Sequence, residues 1–450
     1  MRKIVTSLLT IILTSMPVYS AGNNIERMLV KQHINKSAVS ISIKDAQTGQ
    51  KIYTLNDRAP RQPASTLKVI TTSASLNTLG ANYQFSTKLY KSTNNDLYLK
   101  LGADPFLKSD DLKQLITTAK NKEITPKNFY IDDSIFDNME WGEGWQWDDD
   151  LNPYMPKFSA YNIDGNIINV EITPQKIGVA PNIIVKPFYP ITIMNLMTSS
   201  KDYNNIYFER NNSIAPNIIN AKGHITKQQT VKLPVNSPQL YFKLRLQEVI
   251  RSRKMDYYNP LITGILPEDN IYLVDEINNP MSSALKEILK NSNNLVAETV
   301  FKLAGATYME SSGSAQNSYA MLKDYLEKLE LNTDDIKIVD GSGVSKNNLM
   351  TSDFMTSFLV KLYNNEDFQT IGQYLPIPGE GTLKNRMLYF KDNLKAKTGT
   401  LADTSAITGF ITTRAGKVYV FDIMIQDAKT SESDKKNIEE QILRQVYMMN

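Results

Sequence analysis

The sequence predicts an α/β (α+β) fold: an antiparallel sheet flanked by helices, built from both ends of the chain and interrupted by inserted β-rich domains. Three observations carry this. Apolar and polar residues alternate over Ala38 to Lys44 and strand-like runs return near the other end of the chain, helical apolar spacing flanks those stretches, and residues 83–265 change to short strand-like runs with many Asn and Pro. A length of 450 residues suits two or three domains.

In chain order, Ile25, Met28 and Leu29 give residues 25–35 a helical period. Ala38 to Lys44 alternates as a half-buried strand, Asp45-Ala46-Gln47-Thr48-Gly49 is a turn, and Lys51 to Leu55 is the returning strand. Pro63-Ala64-Ser65-Thr66-Leu67-Lys68 opens a buried helix carried by Leu67, Ile70, Ala74 and Leu76, with Gly80 as its stop. Short strands follow at Phe85–Tyr90, Asp96–Leu101, Phe129–Asp132, Ile168–Thr173 and Ile183–Pro187, with few long helices among them. The helical period returns over Pro280–Gly305 and Tyr319–Leu331. Asp403–Thr412 and Lys417–Ile425 are strands joined at Arg414-Ala415-Gly416, and Lys435–Met448 is a closing helix with Ile438, Ile442, Leu443 and Val446 on one face.

Composition narrows the chemistry. Hydrophobic residues at 41% and charged residues at 22% are those of a globular protein, and a formal charge of +3 favours no polyanionic partner such as nucleic acid. With no cysteine, disulfides, thiolate metal sites and a cysteine nucleophile are excluded. The two histidines, His33 and His224, are too few for a histidine metal cage, so neither a metal nor another cofactor is expected. His33 reads as a surface or packing residue and His224, beside Gly223, as a loop residue. Residues 1–20 read as a signal peptide: Arg2 and Lys3 precede the apolar run Ile4–Val18, with small residues at Ser20-Ala21 where cleavage is expected. The run is too short and too interrupted by Thr and Ser for a membrane anchor, so a mature chain in the periplasm with no transmembrane segment is expected.

Ser65 and Lys68 are three residues apart at a helix start, a spacing that lets the lysine amine reach the serine hydroxyl as base to nucleophile. Ser-x-x-Lys also occurs at Ser283 with Lys286 and at Ser433 with Lys436, and Ser-x-Asn at Ser75, Ser92, Ser292 and Ser345. Lys397-Thr398-Gly399 occurs once, just ahead of a strand pattern. Only Ser65-Thr66-Leu67-Lys68, Ser292-Asn293-Asn294 and Lys397-Thr398-Gly399 fall in the order of the three-element set of penicillin-reactive serine acyl-transferases. A free lysine titrates near ~10.4, so a neutral base at pH 7 needs about 4–5 kcal/mol from its surroundings, which burial and a second cation such as Lys397 would supply.

With these motifs the chain resembles the S13-type penicillin-binding proteins, the penicillin-binding protein 4-like D-alanyl-D-alanine carboxypeptidases and endopeptidases. Gly144-Trp145-Gln146-Trp147-Asp148-Asp149, Asp340-Gly341-Ser342-Gly343-Val344-Ser345 and Pro378-Gly379-Glu380-Gly381-Thr382-Leu383 match in order as well, and the likeness spans nearly the whole mature chain. Two departures are minor: Ser292-Asn293-Asn294 stands where Ser-Asp-Asn is frequent, and Ala402-Asp403-Thr404 is more polar than usual.

The resemblance implies a transpeptidase/β-lactamase-like core at residues 22–82 and 266–450. It also implies an inserted domain II at 83–160 and 235–265, with domain III at 161–234 nested in it. Catalysis is expected from Ser65, Lys68, Ser292, Asn294 and Lys397. Substrate binding is expected from Thr398, Gly399, Thr400 and Asp149, the last selecting the ammonium of a stem-peptide diamino acid. Trp145 and Trp147 read as packing at a domain junction, and Asp340-Gly341-Ser342-Gly343 as a turn at the site's edge. The implied activity is hydrolysis of D-Ala-D-Ala or D-Ala-meso-diaminopimelate bonds through a Ser65 acyl-enzyme. Implied partners are peptidoglycan stem peptides and β-lactams as covalent inhibitors, with a homodimer as the possible assembly. A β-lactamase is the enzymatic alternative, but no Glu-x-x-Leu-Asn element lies between Ser292 and Lys397 and no Tyr-x-Asn replaces Ser-x-Asn. A non-catalytic wall-binding or β-lactam-sensing scaffold is the other, against which the intact residue set argues.

Overall fold

A computed structural model describes residues 16–32, 34–210, 217–334 and 336–449. His33 and most of the expected signal peptide, residues 1–15, lie outside the described residues, as does the side chain of Trp147. The contacts divide the chain into two units. One comprises 1–81, 284–292 and 319–450, the other 82–283 and 293–318.

The first unit is built on a five-stranded antiparallel sheet. Its strands are β1 (Val39–Asp45), β2 (Lys51–Leu55), β3 (Leu394–Thr400), β4 (Thr404–Thr412) and β5 (Val418–Gln426), in the spatial order β3-β4-β5-β1-β2. Val39–Asp45 thus pairs with Tyr419–Ile425, the single antiparallel sheet expected from the strand-like runs near both ends. The β1–β2 turn closes because Asp45 accepts the Gln47 and Thr48 amides while Gly49 takes φ +73°, which a side chain would resist. Helices α1 (Met16–Lys31) and α4 (Glu432–Tyr447) cover one face. Ile25 and Leu29 of the first and Ile438, Ile442 and Val446 of the second, all at most 1% exposed, join the apolar side chains of the sheet. The other face meets α3 (Ser352–Tyr363): Ser352 donates to Ser40 at 3.0 Å and Thr356 meets Ser42 at 2.8 Å.

The second unit holds a mixed five-stranded sheet and two three-stranded sheets. Its ten-residue strand Ile271–Pro280, whose pattern is too irregular to stand out in the sequence, runs antiparallel to Gln84–Ser92. Two long helices, Ser109–Asn121 and Pro238–Ser252, sit in the stretch where few were expected. Both are recruited by tertiary burial: Leu112, Leu115 and Ile116 of one and Phe242, Leu246 and Ile250 of the other enter the same core. His224 is corrected from loop to strand, within Ile218–Ile225. Gly223 is there because a Cβ would lie 2.2 Å from the Asn205 carbonyl oxygen, so it marks a close backbone approach and not a turn.

Candidate active site

A 3₁₀ turn, Ala64–Leu67, carries Ser65 and runs directly into α2 (Lys68–Leu79). Ala64 holds φ +49°, a left-handed conformation seldom taken by a residue with a side chain, and the following Ser65 stays partly exposed. One turn on, Lys68 is 0% exposed, and its Nζ lies 2.8 Å from Ser65 Oγ and donates to the Ser342 carbonyl at 2.6 Å. The i, i+3 spacing read from the sequence therefore places the amine on the hydroxyl.

A second serine–lysine pair lies in the same unit. Lys397 on β3, also 0% exposed, donates to Ser292 Oγ at 2.8 Å and to the Thr398 carbonyl at 2.9 Å. Burial, and then the charge of Lys68, hold the Lys397 amine well below the ordinary lysine range. Ser292 takes φ +60° after the turn Lys286–Lys290, and the capping of the next helix, Asn294–Met309, falls to Asn293, whose side chain accepts the Val296 amide. The Ser292 hydroxyl is thereby left for Lys397 instead of serving as a cap.

Glycines set how closely β3 approaches the nucleophile. A Cβ on Gly399 would lie 2.8 Å from the Ser65 amide nitrogen and 2.9 Å from the Pro63 carbonyl oxygen, so only glycine lets the strand lie here. The Pro378–Leu383 segment braces both motifs: Thr398 Oγ1 donates to Thr382 at 2.8 Å, Glu380 pairs with Lys290 at 2.5 Å, and Gly381 packs on the Lys290 carbonyl. Thr400, at the end of β3, is exposed. The Ser342 carbonyl and the Thr382 hydroxyl are contacts the sequence does not single out, although the turn at Asp340–Gly343 is expected at the site's edge.

Ser65, Lys68, Ser292 and Lys397 fall in the first unit, with Thr398, Gly399 and Thr400. Asn294 and Asp149 fall in the second. There Asn294 Nδ2 donates to the Tyr154 carbonyl at 2.8 Å, and the half-buried Asp149 closes the 3₁₀ turn Trp147–Asp149, its amide donating to the Gln146 carbonyl. Trp145 packs edge-on against Trp141 and Phe158. The spare Ser433–Lys436 spacing is a helix start, where Lys436 pairs with Glu432.

The D-Ala-D-Ala carboxypeptidase 3 (S13) family profile matches residues 21–446. The chain belongs to this family. Members it resembles include the D-alanyl-D-alanine carboxypeptidase DacB of Haemophilus influenzae, 25% identical over 419 residues and covering 89% of this chain and 88% of that one. A D-alanyl-D-alanine carboxypeptidase of an Actinomadura species is 24% identical over 420 residues, covering 86% and 78%. The crystal structure of Haemophilus influenzae penicillin binding protein 4 superposes with a TM-score of 0.82 at 24% identity, covering 91% of this chain and 96% of that one. Its complex with a β-lactam gives 0.79 at 23% identity, covering 94% and 99%. The fold is therefore that of this family, mixed α/β with antiparallel sheets flanked by helices. Among the described residues no helix is long and apolar enough to cross a membrane.

Proposed function

We propose that the protein is a serine D,D-peptidase that hydrolyses D-Ala-D-Ala bonds, D-Ala-meso-diaminopimelate bonds or both in peptidoglycan peptides through an acyl-enzyme on Ser65. The observation that carries this reading is the pair of serine–lysine contacts, each 2.8 Å long with its lysine 0% exposed. As Ser65 Oγ attacks the D-alanyl carbonyl, Lys68 takes its proton, and the Ser65 and Thr400 backbone N–H groups receive the oxyanion. Ser292 passes a proton to the leaving amine, Asn294 binds the substrate amide, and water then hydrolyses the ester. Lys397, Thr398 and Thr400 bind the terminal carboxylate. An arriving carboxylate supplies the counter-charge that burial and Lys68 deny to Lys397, so substrate binding draws a proton onto this lysine. The same geometry favours covalent inhibition by β-lactams. The basic, apolar leader supports export to the periplasm with cleavage near Ser20.

Mass spectrometry of the penicillin-treated protein tests this. An adduct on Ser65, lost with peptide hydrolysis in Ser65→Ala, is expected; an adduct on Ser283 or Ser433, or none, overturns the assignment.

We further assign domains II and III, at 83–160 with 235–265 and at 161–234, the role of limiting access by the cross-linked polymer, and Asp149 the recognition of the diamino-acid ammonium. Asp149→Asn should lower the preference for a free side-chain amine over its acetylated form by about 10–150-fold, the worth of one charge-assisted hydrogen bond. An unchanged preference removes Asp149 from the site.

A further inference from the structure

The Lys68 amine has a second constraint besides Ser65. Its nitrogen donates to the Ser342 carbonyl at 2.6 Å, and one turn along α2 the Thr71 hydroxyl donates to the Gly341 carbonyl at 2.7 Å. Two consecutive carbonyls of one loop are thus gripped from the same face of α2.

The loop holds those carbonyls in place through one carboxylate. Asp340 is 3% exposed. Its Oδ1 accepts the Gly343 amide at 2.8 Å and Asn348 Nδ2 at 2.8 Å, and its Oδ2 accepts the Ser345 amide at 2.7 Å and lies 3.4 Å from Ser342 Oγ. Asn348 is fixed in turn, its Oδ1 accepting the Val339 amide at 2.8 Å. The far side is closed as well: Gly343 takes φ +78°, and a Cβ there would lie 2.0 Å from the Ala64 carbonyl oxygen, just before the nucleophile. A loop tied at four points around one buried carboxylate leaves the Ser342 carbonyl little freedom to turn.

A neutral lysine amine has two N–H bonds and one lone pair. Committing one N–H to a fixed carbonyl restricts rotation about the Cε–Nζ bond, so the lone pair can be aimed at Ser65. We propose that Asp340 is a positioning residue for proton abstraction, fixing the Ser342 carbonyl that orients Lys68. This rests on the reading of Ser65 and Lys68 as nucleophile and base. Among the charged groups near Lys68, the buried Lys397 amine on β3 is coupled to it by charge, and Asp340 anchors the loop whose Ser342 carbonyl meets it.

The test is the rate constant for Ser65 acylation by a chromogenic β-lactam, measured against pH for the full chain and for Asp340→Asn. The amide keeps one acceptor and turns an NH₂ towards amides that now donate, so the loop loosens. The plateau rate is expected to fall by about 10–100-fold, as for a catalytic group displaced by roughly an ångström. The acid limb is expected to move to lower pH, because both the carboxylate and the carbonyl favour the charged lysine. Asn348→Ala, which removes one tether and keeps the carboxylate, should move both readings in the same direction by less, and it decides the matter if Asp340→Asn does not fold. A limb at the wild-type pH overturns the proposal, whether the rate is unchanged or falls only with the fraction of sites that titrate. Wild-type protein that is not acylated at Ser65 would instead overturn the underlying nucleophile–base reading.

Discussion

The two faces of the five-stranded sheet are equally buried and chemically opposite. On one face Ile41, Ile43, Ile407, Phe421 and Ile423 pack with α1 and α4, and the main polar group is Glu439, which pairs with Arg386 and accepts from Ser405. On the other face a cross-strand row runs Lys397, Thr408, Asp422, Ser42, its members directly opposite one another in register. Each of these four is 0% exposed. Because side chains alternate along a strand, Ile407 and Thr408, or Phe421 and Asp422, differ by one residue and by the whole sheet thickness in role. The apolar face supplies stability. The polar face costs stability and carries the lysine that the proposed chemistry needs.

The largest effect should come from the apolar face. Phe421→Ala removes a fully buried ring and should lower stability by about 3–5 kcal/mol while leaving turnover per folded molecule unchanged. Chemical unfolding read beside active-site titration measures both. A variant of wild-type stability, or one with impaired turnover per titrated site, would break the division of labour between the faces.

Much of this was legible in the sequence. Alternation over Ala38–Lys44 marked β1, strand-like apolar runs marked β4 and β5, which are buried on both faces, and the ordered triplet singled out Ser65, Lys68, Ser292 and Lys397, because each motif is local. Neither the partner of the Lys68 amine at Ser342 nor the brace of Thr398 by Thr382 was readable, since the first joins segments 274 residues apart and the second joins a 3₁₀ turn to a strand 16 residues on, beyond the reach of any local period. The strand Ile271–Pro280 lacked a pattern because its outward residues include Tyr272 and Leu273. Asp422 shows the same limit. Its strand reads as apolar throughout, and only the register reveals that its carboxyl lies two strands from Lys397.

Asp422 gives the smaller and sharper test of the polar face. Burial pushes its carboxyl up to about 8, against the opposing pull of the neighbouring Ser352 and Thr408 hydroxyls. At pH 7 it is therefore neutral in the folded protein, which avoids an uncompensated anion that would favour the charged form of Lys397. In the unfolded chain it ionises near 3.8, so between that value and about 8 the unfolded state binds fewer protons. Its contribution to stability is complete below the lower value and is lost as pH rises through the higher one, by up to about 1.4 kcal/mol per pH unit. Asp422→Asn stays neutral in both states and loses this dependence. Its unfolding free energy should match wild type near pH 4 and exceed it increasingly towards pH 8, by up to ~4 kcal/mol between pH 5 and pH 8. Glu439, pushed up by burial on the opposite face, keeps its own share of the slope in both proteins. Urea unfolding at pH 5 and pH 8 separates the outcomes: parallel losses in the two proteins would mean that Asp422 is ionised when folded, and that this face tolerates a buried anion beside its lysine.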